Sequence, residues 1–383
     1  MELSLTEDQA MLAKTANAFF AERSPLSRLR KLRDARDERG YSRELYQEMV
    51  ELGWTAIPFE ERDAGLGMGL AGAIIVTEAM GRSLAAEPYL PSIMLAGQAL
   101  ALGADERQRK TWLAPAIAGE QVLALAYQEA GSRYDLARVA TRAESAANGG
   151  WRLRGTKQVV LAGALADGYI VSARTAGEEG ARDGISLVFV PAGAPGLKVT
   201  RQFRIDSRNA ALLEFDDVQV PAQALLGERD RGAALLDAVI DRATVALCGE
   251  MLGAMGEAFE RTLKYVKERK QFGVAVGSFQ AIKHRLAKLF IELELSRSAT
   301  MLAARALDEK EKQPEARALV SLAKARCSDT YVLAANEAVQ LHAGIGMTDE
   351  HEIGFFIKHA RVCELTFGDA AYHRDRYALL NGY

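Results

Sequence analysis

The text of this chain changes character twice, and that constrains its fold more than any single motif. From Thr6 to about Ile117 it is helical, with breaks. From about Val122 it becomes seven short β-rich runs separated by turn residues, at 122–127, 151–155, 157–163, 168–174, 184–190, 197–203 and 211–221. Pro221 and Gly227 close that region, and beyond Leu235 the text is helical again. Short runs at close spacing predict a compact antiparallel barrel or sandwich rather than a parallel sheet. The expected class is α+β, mostly α: an N-terminal helical domain at residues 1–118, a middle β domain at 119–228 and a C-terminal four-helix bundle at 229–383. A length of 383 residues exceeds what one core usually supports, and 49% hydrophobic content is ample for several.

Local signals fill in this outline. Thr6 with Gln9 three positions on has the spacing of a capping box, followed by apolar Met11, Leu12, Phe19 and Phe20. Gly65, Gly67 and Gly69 follow no strand and precede no βαβ unit, so they read as a turn rather than a dinucleotide fingerprint. Leu247, Met251, Leu252, Met255, Phe259, Leu263 and Val266 fall on one helical stripe. Two more long helices are expected, from Phe279 to about Leu307 and from Pro314, a first-turn proline, to about Leu341.

Composition excludes several classes of function. A net charge of -3 with no basic tract argues against nucleic acid or an anionic membrane as partner. No apolar run reaches the roughly 18 residues needed to span a bilayer. The opening MELSLTEDQAML is acidic ahead of any apolar stretch, which does not fit a signal peptide, so the expected location is the cytoplasm. Cys248, Cys327 and Cys363 are odd in number and widely spaced, as expected of reduced core thiols. His284, His342, His351, His359 and His373 show no metal-ligand spacing, and no metal is expected.

Four segments are more specific. In 262–287, TLKYVKERKQFGVAVGSFQAIKHRLA, Arg269 precedes Phe272-Gly273, and Phe279-Gln280 follows seven residues later. The block 340–369 runs from Gln340 through a Gly-rich turn at Gly344 to Thr366-Phe367-Gly368-Asp369. Residues 49–69 set Leu52-Gly53-Trp54 before a Gly-rich turn, and DDVQVP at 216–221 leaves the β region. Together they resemble the acyl-CoA dehydrogenases over essentially the whole chain. The resemblance implies FAD as cofactor, oxidation of an acyl-CoA to its 2,3-enoyl-CoA, and an electron-transfer flavoprotein as acceptor. In that family the first two segments reach across a subunit interface to the ADP half of a neighbour's FAD. The corresponding residues here are Arg269, Gln271, Phe272, Phe279, Gln280, Gln340, Ala343 and Gly344. A guanidinium bonds pyrophosphate oxygens in a bidentate, charge-assisted way, while Phe272 offers apolar contact and the glutamines offer amides.

On the flavin-ring side the match is poorer. The family's Thr-Glu-Pro-x-x-Gly-Ser-Asp becomes Gln128-Glu129-Ala130-Gly131-Ser132-Arg133-Tyr134-Asp135, and its Trp-Ile-Thr becomes Val159-Val160-Leu161. Gln128 and Ser132 are the remaining candidates there. Leu161 has no hydroxyl, and Tyr134 is bulky where phosphate packs close. Glu129 and Asp135 keep the family's residue type, with turn and surface roles equally open.

The family's α-proton is removed by a Glu on the late loop or, in some relatives, on the first long bundle helix. Aligned without gaps, those positions hold Phe367 and Ala243, neither of which accepts a proton. Asp241, Glu250, Glu364 and Asp369 are the nearest carboxylates in sequence. Asp369 is the candidate base, with a helix-cap or surface role as its alternative. Residues that serve a neighbour's cofactor are kept, and those that serve the chain's own flavin and proton abstraction are changed. The chain therefore resembles the base-lacking small subunit of heterotetrameric bacterial acyl-CoA dehydrogenases acting on steroid side-chain or dicarboxylic thioesters, whose homologous partner carries the catalytic Glu. Two other readings remain: a self-sufficient flavoenzyme using Asp369, and a non-catalytic assembly protein, against which the retained clamp argues.

Overall fold

The structure is a computed structural model and describes residues 5–146, 149–309 and 313–383; Met1–Ser4 of the acidic opening text lie outside it. Its helices are α1 (Glu7–Arg23), α2 (Leu26–Asp34), α3 (Arg43–Glu51), α4 (Gly69–Arg82), α5 (Gln98–Gly103), α6 (Glu106–Gln108), α7 (Ala114–Ile117), α8 (Gly232–Glu268), α9 (Gln280–Asp308), α10 (Gln313–His342), α11 (Ile353–Leu365) and α12 (Ala370–Leu380). The strands are β1 (Leu123–Ala126), β2 (Arg142–Ser145), β3 (Trp151–Leu161), β4 (Gly168–Arg174), β5 (Ile185–Pro191), β6 (Leu197–Phe203), β7 (Asn209–Val220), β8 (Leu225–Leu226), β9 (Lys270–Gln271) and β10 (Val274–Ala275). Two compact units divide them: Met1–Ala35, Gly69–Ala85 and Thr244–Tyr383 form one, Arg36–Met68 and Ala86–Ala243 the other.

In the first unit, α1 opens on the expected capping box, with Thr6 and Gln9 each bonding the other's backbone N–H at 3.2 Å. Phe20 and Ala16 turn inward, whereas Met11 is 65% exposed. α4 packs on α1 and α9. It also meets α8 backbone to backbone: a Cβ on Gly81 would stand 2.0 Å from the Glu250 carbonyl, and one on Gly253 1.8 Å from that of Glu78. The helical text between Leu247 and Val266 buries its stripe as expected, with Met251 and Met255 fully enclosed. α10 packs against α9, α11 and α12, so two helices follow it where one long helix would complete a four-helix bundle. They break at Thr366–Asp369 because Phe367 and Gly368 leave the helical region, at φ 63 and 118.

The second unit is built on an eight-stranded sheet ordered β6-β7-β3-β2-β4-β5-β8, with β1 paired to β4. Five ladders are antiparallel, but β1–β4 and the single β2–β4 pair Arg142↔Arg174 run parallel. The β-rich texts at 151–155 and 157–163 are one strand rather than two: β3 continues through bulges between Leu153 and Gly155 and between Lys157 and Val160. A bulge inserts turn-like residues without ending the ladder, so the text looks interrupted where the strand is not. β1 and β4 are buried throughout, as strands covered on both faces are; β1 reads as continuous apolar text, whereas β4 also buries Ser172 and Arg174.

Candidate functional site

The residues expected to hold a neighbour's cofactor lie together at one end of the helical unit. α8 ends at Glu268, and the chain turns back through the hairpin β9–β10, pairing Gln271 with Val274. Its two-residue turn, Phe272-Gly273, has φ 54 and 80, the double left-handed form of a type I′ turn. Phenylalanine is rarely found there, and its ring is 93% exposed, touched edge-on by Phe279 at 6.3 Å. Arg269, Gln271, Gln280 and Gln340 are exposed. Among the described residues no carboxylate forms an ion pair with Arg269.

Beneath this surface Val266, Leu286 and Leu341 form a small core with Phe259, Leu263, Tyr265, Val276 and Ile282 against it. It joins the end of α8, the start of α9 and the end of α10. His342 completes the joint: its ring stacks on Tyr265 at 4.3 Å, and its Nδ1–H donates to the Ala338 carbonyl at 2.7 Å. Burial lowers its basicity and keeps the ring neutral. Ala343 then takes φ 54, and Gly344 faces open space, with nothing within 4 Å of where a Cβ would stand. A guanidinium with no carboxylate partner, two exposed rings, the exposed amides of Gln280 and Gln340 and an open glycine suit the phosphate and adenine end of FAD, while the Gln271 amide already donates to the Lys270 carbonyl at 2.8 Å.

Gln128 and Ser132 belong to the sheet unit, in the loop after β1. Ser132 is buried and its hydroxyl is used locally, donating to the Glu129 carbonyl at 2.9 Å and accepting from Glu129 N–H at 3.1 Å. Gln128 is half-buried, and its carbonyl accepts from Gln158 N–H at 2.9 Å. Glu129 anchors the loop. Its carboxylate accepts from Ala140 and Thr141 N–H and from the fully buried Lys157 at 2.5 Å, with Ser172 also bonded to that ammonium at 2.9 Å. Burial raises the Glu129 carboxyl, but the Lys157 charge and these bonds outweigh it and hold the group below its ordinary range. Burial brings the Lys157 ammonium down to about 8, against the pull of Glu129. The sequence left Glu129 open as a surface group. The missed signal is Lys157, an inward position in the alternation of β3. At the adjacent bulge Val159 sits at φ 51, an outlier for a β-branched residue, and its N–H donates to Gln202 Oε1 at 2.9 Å.

The late turn has no general base at 367. Phe367 is buried, its carbonyl accepts from His373 Nε2–H at 3.1 Å, and the next carbonyl, of Gly368, accepts from Lys324 at 2.7 Å. A Cβ on Gly368 would stand 2.4 Å from Tyr372 Cδ1. Asp369 is the N-cap of α12, accepting from Tyr372 N–H at 2.9 Å, which is the cap role the sequence left open beside the base. Ala243 is fully buried on α8. Of the other carboxylates, Asp241 is buried, Glu250 bonds His359 Nε2 at 2.9 Å, and Glu364 pairs with Arg361 at 2.9 Å. Cys248, Cys327 and Cys363 are buried free thiols, and no group of His, Cys, Asp and Glu fit to hold a metal occurs among the described residues.

Three family models match in succession: the acyl-CoA dehydrogenase N-terminal domain at residues 6–120, the middle domain at 124–218 and the C-terminal domain at 230–378. The chain is 33% identical to the long-chain specific mitochondrial acyl-CoA dehydrogenase of Sus scrofa, over 84% of its length and 75% of that protein's. Among solved structures it is similar to a chain of the ChsE4-ChsE5 complex from Mycobacterium tuberculosis, with a TM-score of 0.89, 26% identity and 100% of both chains covered. It is also similar to a chain of the Tcur3481-Tcur3483 steroid acyl-CoA dehydrogenase, with a TM-score of 0.86, 29% identity and 98% of both chains covered.

Proposed function

This chain belongs to the acyl-CoA dehydrogenase family, FAD-dependent oxidoreductases acting on CH–CH bonds, and within it we propose that it is a subunit lacking its own base. The observation that carries this reading is that Phe367 and Ala243, which the gap-free sequence comparison sets at the family's Glu positions, are both buried and apolar. The nearest substitute, Asp369, is engaged as a helix cap. The partner would be a homologous chain supplying the carboxylate, as in a heterotetramer; similarity to chains of two-component complexes supports the assignment. The proposed substrate is an acyl-CoA thioester, of steroid side-chain type by analogy with that second neighbour, and the proposed acceptor an electron-transfer flavoprotein, in the cytoplasm. We keep 1–118, 119–228 and 229–383 as the proposed domains, supported by the change to strand at Leu123 and back to helix at Gly232.

Bound FAD would supply the oxidising chemistry, acceptance of hydride from the β-carbon. This chain's own share is binding. Arg269 would neutralise pyrophosphate, Phe272 and Phe279 would exclude water from it, and Gln271, Gln280 and Gln340 would offer amides, while Ala343 and Gly344 let a ligand approach the backbone. Gln128 is the flavin-side group with an amide to give; Ser132 acts through the shape of its loop, since its hydroxyl is already bonded.

The test is turnover of an acyl-CoA by the purified chain, alone and co-expressed with a Glu-bearing homologue. Loss of general-base help costs ~100-fold or more, so the chain alone is expected to be nearly inactive and the mixture active. Turnover near ~10 per second by the chain alone overturns the reading. If that turnover then vanished in Asp369→Asn, Asp369 would be the base after all.

A further inference from the structure

We propose that Lys324 is a positioning residue for the turn Thr366–Asp369, holding its backbone in the form a base-bearing chain would need. Its ammonium is fully buried on α10 and donates to Ser328 Oγ at 3.0 Å, to the Glu364 carbonyl at 3.1 Å and to the Gly368 carbonyl at 2.7 Å. Among the described residues no carboxylate forms an ion pair with it. The buried thiols of Cys248, Cys327 and Cys363, the Glu364 carboxylate and the His373 ring also feel its charge. An ammonium placed so is costly to bury, and a residue of similar volume without charge packs such a place at least as well. What offsets the cost is the end of α11: Glu364 lies in its last turn, where carbonyls lack helical donors and the helix dipole is negative.

The two carbonyls that Lys324 takes lie on either side of Phe367 in sequence, and His373 takes the one between them. The His373 ring is neutral, its basicity pushed down to about 3 by burial and by the Lys324 and Arg376 charges, and its other nitrogen faces Ser321 Oγ at 3.3 Å. Two carbonyls of the turn and one at the end of α11 are thus fixed from α10 and α12. Phe367 keeps φ 63 although nothing about an aromatic side chain favours that conformation. The turn is held as a built element even though the residue it presents cannot accept a proton.

The functional meaning of the lock rests on reading Phe367 as standing at the family's base position, but its mechanics do not. Hydrogen exchange on the full chain, wild type against Lys324→Met, tests it. Removing the ammonium relieves a buried charge but leaves the Gly368 carbonyl without its donor, so the melting temperature is expected to change little, while amides across residues 365–373 exchange at least ~10-fold faster and those of α8 and α9 stay within ~2-fold. Lys324→Gln, which keeps a neutral donor, should restore part of the protection, and it gives the same contrast if Lys324→Met does not fold. Unchanged exchange in the turn, or acceleration spread evenly over the bundle, overturns the proposal. An error in the base-position reading shows elsewhere, as turnover by the wild-type chain alone, and leaves this exchange result as it is.

Discussion

Lys157 and Lys324 are both fully enclosed, yet their charges are met in different ways, by a carboxylate in one case and by carbonyls in the other. For Lys157 the consequence is a strong dependence on its partner. Glu129→Gln strands a buried ammonium and is expected to cost about 3–5 kcal/mol in urea unfolding at neutral pH. The Glu129 contribution is complete above its unfolded value of 4.5 and is lost as pH falls through its lower folded value. Lys157 acts in the opposite window: its folded value of about 8 lies below the unfolded 10.5, so its burial cost falls away as pH rises between them and stability increases. His373 adds an acid-side term. Below pH 6.5 the unfolded chain binds a proton that the folded chain refuses until about pH 3, so stability falls across that range by about 5 kcal/mol in total. His373→Gln should flatten that part of a pH series of unfolding midpoints. The partners of neither lysine are legible in the sequence, because Glu129 is 28 positions from Lys157 and Gly368 is 44 from Lys324. Periodicity marks faces of an element, not partners that far away.

Among the elements, the hairpin β9–β10 is the one whose sequence and role agree least with local preference. Asn-Gly is the favoured pair for a type I′ turn, so Phe272→Asn is expected to hold or raise the melting temperature while weakening FAD retention in the assembled enzyme. Arg269→Ala removes an exposed side chain and should shift stability by under about 0.5 kcal/mol. Its effect on FAD should be far larger, about 1.5–3 kcal/mol, or roughly 10- to 150-fold in affinity by fluorescence titration. Fixed spacing from Arg269 to Gln280 marked this segment in the sequence without showing its hairpin, and apolar stripes and turn residues made the long helices readable. The bulged strand β3 was not readable as one piece, nor was the packing of α4 on α8. Glycines in helical text look like weak points, whereas Gly81 and Gly253 are where two backbones touch.

For the whole molecule, the proposed asymmetry has a stoichiometric signature. If this chain completes its mate's cofactor site better than it fills its own, a symmetric mixed tetramer should carry FAD on about half of its chains, measurable from flavin absorbance against protein mass. A full flavin on every chain would rule that asymmetry out. The exposed Phe272 tip bears on a different matter, the supply of the two chains in the cell. If the proposed assembly covers the exposed Phe272 ring, copies made in excess of their mates keep it in water and are the ones expected to aggregate or be degraded. Under the proposed two-chain assembly, balanced synthesis of the two polypeptides follows, and the yield of this chain should rise with the dose of its partner's gene.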